Sequence, residues 1–429
     1  MQGLSTQRAP HPSVVLPHFA FGAVSFLVLS IVLIFSTNEL AMHYFQPKIL
    51  ALTHIATLGW ITMIIFGALY QLIPVVLEVP LFSEKLAKIC FWLLALGTLL
   101  LVHAFWLMKL DIWLVIPATM LLIVFILFAI NVLLTAKKTI KWNIESSLIM
   151  ASVFWILTTA VLGFLISMNF HHGFLKNNHL IWLKVHSNTG LVGWIFFLIM
   201  GVGSKLIPMF LLSHKLNKNK LKYAFYAVNA GLVFFFIDNA FLFYGLDIVA
   251  FLIIASGLIG FVSYIYEAFK KRARKNLDIG LKHTAVSILM LFIPVILAFI
   301  TSLKPELEMK YMLRLNIVYV VSMILGFITS LILGQTFKTL PFIVWLSKYQ
   351  SLVGKVKTPL PKDLYSEKLL NWQYWSYNLS IALLFIGLIG GIHYLVMAGS
   401  YILLFVAVLY NINIFKILSH KVKKEEIKI

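Results

Sequence analysis

His54-Ile-Ala-Thr-Leu-Gly59-Trp60-Ile-Thr-Met-Ile-Ile-Phe-Gly67-Ala-Leu-Tyr-Gln71-Leu-Ile-Pro74 decides the fold, because its frame of Gly59, Gly67 and Pro74 occurs three times. Gly193, Gly201 and Pro208 repeat the frame 134 residues on, and Gly326, Gly334 and Pro341 repeat it after a further 133. A polar residue follows the second glycine by four positions each time: Gln71, Lys205 and Lys338. Self-similarity at a fixed period marks homologous structural units. We therefore read one membrane domain, residues 1–429, made of three pseudo-repeats at about 18–145, 146–283 and 284–420.

The chain is 61% hydrophobic and 12% charged, with a mean hydropathy of +0.96, which excludes a water-soluble globule. Apolar runs long enough to cross a bilayer, roughly 18 residues or more, lie near 19–36, 49–73, 89–108, 113–135, 147–169, 182–208, 223–244, 248–268, 284–303, 315–346, 375–396 and 398–418. The expected fold is all-α, a polytopic bundle of about twelve transmembrane helices, four per repeat. Glycines eight apart in a membrane helix recur on nearly one face, so each frame helix offers a strip for close packing.

The formal net charge of +20 is a matter of topology, not of nucleic-acid binding. Of the 35 Lys and Arg residues, 26 fall on the side of the N-terminus and only seven on the other: Lys48, Lys109, Lys176, Lys184, Lys304, Lys310 and Arg314. Lys205 and Lys338 lie within spans, where snorkelling to the head groups is expected. By the positive-inside rule both termini are cytoplasmic, and a bacterial inner membrane is the expected location. Anionic lipid head groups are the partner this charge suits. The N-terminal segment shows no cleavable signal pattern, so the first span is expected to act as an uncleaved anchor. The single cysteine, Cys90, excludes an internal disulfide and a cysteine-based metal cluster.

The histidines are unevenly placed. By this topology His43, His54, His103, His171, His172, His179, His186 and His393 lie at or near the outer face, and His11, His18, His214, His283 and His420 on the inner side. His103 follows Gly97 by six residues, as His393 follows Gly387, and a cytoplasmic loop is expected at about 347–372. Histidine ligates haem iron and copper, and a neutral imidazole is tolerable in lipid when its second nitrogen is hydrogen-bonded. His54, His186, His103 and His393 are the candidate cofactor ligands. His186, His171 and His172 are the candidate metal ligands. The competing reading of each is a histidine that merely bonds a neighbouring helix or sits at the interface.

Twelve helices in three repeats, with histidines on helices that end in Gly-x6-Pro, resemble subunit I of the heme-copper oxidase superfamily, which includes cytochrome oxidases and nitric oxide reductases. His54-x4-Gly59-Trp60-x6-Gly67-Ala-Leu-Tyr-Gln71-Leu-Ile-Pro74 is similar to the family's second helix, whose histidine ligates the low-spin haem. His186-Ser-Asn-Thr-Gly-Leu-Val-Gly193-Trp194 is similar to the sixth helix, where the family places a copper-ligating histidine, or to the His-Thr-Asn opening of the second helix in its reductase relatives. The resemblance implies haem b, with copper as a further cofactor, and as partners the lipid bilayer with other respiratory subunits or an electron donor. The ligand set is incomplete. Tyr319 and Val321 stand where the family's tenth helix carries His-x-His, and 223–250 contains no adjacent histidine pair. Short divergent relatives of subunit I, and twelve-helix haem- and copper-containing proteins linked to nitric oxide stress, are similar in the same way.

These readings lead to a subunit I-like haem protein of respiratory electron transfer or nitric oxide handling, and if it is an enzyme, to an oxidoreductase. One alternative is a non-catalytic protein of assembly or metal delivery. Another is a small-molecule or metal transporter whose vestibule is lined by the outer histidines, Asp238 and Glu39.

Overall fold

The computed structural model describes residues 9–175, 178–303 and 308–422. Twelve helical rods follow one another, and no strand occurs among the described residues. They are α1 (Pro12–Ile34), α2 (Pro47–Leu77), α3 (Glu84–Trp106), α4 (Ile112–Ala136), α5 (Ile144–His172) and α6 (His179–Leu211), then α7 (Asn219–Leu242), α8 (Asp247–Lys270), α9 (Ile279–Leu303), α10 (Met309–Leu352), α11 (Glu367–Gly390) and α12 (His393–Leu418). Eleven are long and apolar enough to cross a membrane. α11 matches them in length, but Asn371, Gln373, Tyr374 and Asn378 make its first half more polar. The protein is an all-α, multi-pass integral membrane bundle.

Three boundaries differ from the reading of apolar runs. α1 starts at Pro12, where a proline at the first helical position costs no hydrogen bond, and the His11 ring caps it by accepting from Ser13 N–H. α10 continues to Leu352 and α11 starts at Glu367, so the loop expected at 347–372 is shorter at both ends. α11 ends at Gly390 because Gly391 takes the left-handed conformation (φ 67°). His393 therefore opens α12, whereas His103 lies in the last turn of α3.

The chain forms two compact units. One is built on Tyr70–Asn276 together with the later part of α9 from Val295. The other is built on Pro10–Leu69, Leu277–Pro294 and the chain from Glu308 onward.

Within these units the frame glycines do what the sequence asks of them. A Cβ at Gly67 would lie 2.8 Å from His18 Cβ of α1, at Gly201 2.9 Å from Ile149 of α5, and at Gly334 2.6 Å from His283 Cβ of α9. No side chain larger than hydrogen fits at such spacings, so each frame helix meets the helix before it through its second glycine. The third helix of each repeat meets the fourth likewise. Gly97 packs on Leu121, Gly231 on Ile254 and Gly387 on Val396.

The backbone conformation follows the same frame. α2, α6 and α10 each pass through a π-helical stretch, Ile55–Thr62, Thr189–Phe196 and Ser322–Thr329. Each begins four residues before the first glycine, and the stretches are displaced by the same 134 and 133 residues. The aromatic residue after that glycine is buried in all three: Trp60, Trp194 and Phe327. Trp60 Nε1 donates to Thr329 Oγ1 at 3.1 Å, which joins two of the π stretches inside one unit.

Candidate functional site

π-helical turns are rare and concentrate at functional sites, so the residues at their entrances come first. His54 is the last α-helical residue of α2 before the π stretch. Its Nδ1 lies 2.8 Å from the carbonyl oxygen of Leu50, one turn back. A carbonyl can only accept, so the proton sits on Nδ1 and Nε2 carries the ring's lone pair. The ring is half-buried. In the second repeat the same slot holds Asn188, whose Nδ2 donates to Lys184 O at 2.9 Å, the same one-turn return bond. In the third it holds Val321, which can neither donate nor ligate.

His186 lies two residues before the Asn188 slot. Its Nδ1 donates to Thr159 O of α5 at 3.0 Å, again directing Nε2 away from the held side of the ring. The ring is seated over Gly163, where a Cβ would lie 2.9 Å from Cε1. Thr159 is itself held, its Oγ1 bonded to Trp155 O at 2.8 Å and to Thr189 Oγ1 at 3.0 Å. The counterpart of His186 in the third repeat is Tyr319. His54 and His186 belong to different compact units. Each is a half-buried imidazole with one nitrogen pinned to a carbonyl, the arrangement that orients histidine ligands.

The other candidates are more open. His103 and His393 are exposed. His171 and His172 are exposed at the C-terminal end of α5, with ring centroids 4.7 Å apart in an edge-on arrangement. Among the described residues no three His, Cys, Asp or Glu side chains gather closely enough to hold a metal ion. Axial ligation of haem asks for one or two side chains, a number that single imidazoles such as His54 and His186 can supply.

The carboxylates considered for a vestibule are engaged. Asp238 is buried and accepts from Tyr244 N–H at 3.0 Å and Leu246 N–H at 2.8 Å, which shapes the turn after α7. Glu39 is paired with Lys48. Burial tends to raise the carboxyl pKa of Glu39, but the Lys48 hydrogen bond and charge outweigh it and hold it below its usual value. Of the frame's polar residues, Lys205 is exposed, while Lys338 is paired with Asp278 in its own unit.

Two features escaped the sequence reading. His18 and His283, set apart as inner-side residues, are fully buried because their Cβ atoms fill the space above Gly67 and Gly334. His283 packs edge-on against Tyr374 and Tyr377, with its Nε2 and the amide of the buried Gln373 lacking hydrogen-bond partners among the described residues. The second feature is a two-bond clamp. Asn131 of α4 accepts from Ser83 N–H (3.0 Å) and donates to Ser83 O (2.9 Å). Asn413 of α12 does the same to Ser366, at 2.9 and 3.2 Å. Both serines cap the third helix of a repeat, and Ser-Glu-Lys-Leu at 83–86 and 366–369 is the signal that could have found them. No protein family model matches the chain, and no curated protein matches it.

Proposed function

We propose that the chain is a haem-binding membrane protein of the heme-copper oxidase subunit I type, serving respiratory electron transfer or nitric oxide handling with a reduced ligand set. The observation that carries this is the His54 imidazole, held through Nδ1 to Leu50 O at the mouth of a π-helical stretch. That bond sets the tautomer and raises the basicity of Nε2, as a hydrogen-bonded partner does for a metal-ligating histidine. A bound b-type haem would supply one-electron redox chemistry. The chain's own part is to hold the ring through Nδ1, so that Nε2 would be the ligating nitrogen.

His186, with its Nδ1 on Thr159 O, is the second ligand-type imidazole, for haem or copper in its own unit. The absence of imidazole at Tyr319 and Val321 removes the tenth-helix pair of the resembled family. A second reading, a non-catalytic protein of copper delivery, draws on the exposed His171 and His172 at the end of α5.

The test is the optical spectrum of the full chain purified from haem-replete cells. A b-type Soret band should be present, should be lost or shifted by His54→Ala, and should survive His283→Ala in the same unit. A colourless wild-type preparation, or an unchanged band in the His54 variant, refutes the assignment.

A further inference from the structure

Within one compact unit, a cavity of about 70 Å³ opens between the Thr37–Ala41 turn after α1, the first turns of α10, the end of α11 and the start of α12. One water needs roughly 10–15 Å³ on this measure, so there is room for several waters or one small polyatomic ion. Arg314 and His393 line it, with Thr37, Ile317 and Val396. The Arg314 guanidinium lies against Gly391, where a Cβ would come within 2.6 Å of Nη2 and 2.9 Å of Nη1. Glycine is thus required there twice over, by its positive φ and by the arginine resting on it.

The guanidinium is half-buried and, among the described residues, makes no hydrogen bond or ion pair. A half-buried cation of five donors with none engaged is costly, and the group best matched to it is a carboxylate or phosphate held by its fork. Had Arg314 served only to cap α11, it would donate to one of that helix's terminal carbonyls, and it donates to none among the described residues. No carboxylate lines the cavity among the described residues, and Glu39, next in sequence to the lining Leu40, is paired with Lys48 through Oε1. α12 begins at His393 with no side-chain cap at Ile392; the N–H groups of Leu395 and Val396 already bond Ile392 O, so of the first turn only those of His393 and Tyr394 can add donors.

We propose that this cavity binds a small oxyanion from the aqueous phase, of carboxylate to phosphate size, with Arg314 as its principal ligand and His393 as a second donor. The proposal does not depend on haem at His54.

The experiment is equilibrium binding of radiolabelled phosphate and of radiolabelled acetate to the full chain in uncharged detergent at fixed ionic strength. One saturable site per chain is expected for at least one probe. Arg314→Gln should weaken it by about tenfold or more, the loss expected for a charge-assisted pair. His393→Gln, at an exposed position where folding is not at stake, should weaken it by a smaller factor, and Lys310→Gln, a nearby exposed lysine outside the cavity, should leave it unchanged. Absence of saturable binding by both probes overturns the proposal, as does equal weakening in the Lys310 and Arg314 variants, which would mean diffuse attraction. Binding retained in phosphatidylcholine nanodiscs supports the aqueous source. Its selective loss in phosphatidylglycerol nanodiscs would assign the cavity to a lipid head group and overturn that source.

Discussion

Replacing Asn131 or Asn413 by alanine tests how far the repeated geometry carries energy. Each amide is fully buried and makes two hydrogen bonds to one N-cap serine, accepting at 3.0 or 2.9 Å and donating at 2.9 or 3.2 Å. Alanine removes both bonds and orphans the serine's N–H, while its C=O keeps the helical bond from Ala87 or Leu370 N–H at 3.3 or 3.1 Å. A net hydrogen bond contributes about 0.5–1.5 kcal/mol and an orphaned buried group costs about 1–3 kcal/mol. Water reaching the helix end recovers part of this, which brings the expected loss to about 2–4 kcal/mol per variant. Asn413 and Asn131 should differ little, since their geometries agree, and the double variant should show the sum because the clamps share no partner. The assay is equilibrium unfolding in mixed micelles by titration with sodium dodecyl sulfate, read by tryptophan fluorescence. A loss below about 0.5 kcal/mol in either variant would refute the reasoning, because it would mean that the serine backbone is satisfied without the amide.

Gly334→Ala should destabilise by about 1–3 kcal/mol or more, since its Cβ would meet Gly280 O and His283 Cβ at 2.6 Å. Gly203→Ala, whose Cβ would meet Ile207 Cδ1 at 3.4 Å and Ile199 Cγ2 at 4.0 Å, should be neutral or stabilising by up to about 1 kcal/mol, and the same micelle titration separates the two. For Glu39, whose folded pKa lies below the ordinary 4.5, the stability gained from Lys48 is fully present above that value and is lost as pH falls through the folded pKa. Glu39→Gln should therefore flatten the acid side of the stability profile and leave its slope near neutral pH unchanged, as measured by unfolding midpoints from pH 3 to 7.

The helices were legible because a bilayer-spanning segment must be long and apolar, and the Gly-Gly-Pro frame was legible because close helix packing demands missing side chains at fixed intervals. α11 was misplaced for the same reason in reverse: Asn371, Gln373 and Asn378 lower its hydropathy, although Tyr377 and Gln373 are buried against neighbouring helices. The π stretches carry no side-chain signature of their own. Their position beside Gly59, Gly193 and Gly326 shows only in the backbone. At the candidate site, the residue type and slot of His54 were readable, but the pinning of its Nδ1 depends on a carbonyl, which no residue name reveals. His103 and His393 shared the candidacy because topology gives depth along the membrane normal and not the direction a side chain faces. Both proved exposed.

The most direct measurement is chemical rescue at residue 54. His54→Gly removes the imidazole and keeps the helix entrance, so its Soret band is expected to be lost or shifted, and added imidazole to restore the wild-type spectrum. A wild-type spectrum in His54→Gly without imidazole would contradict the account, and so would a lost band that imidazole fails to restore in a variant shown to be folded.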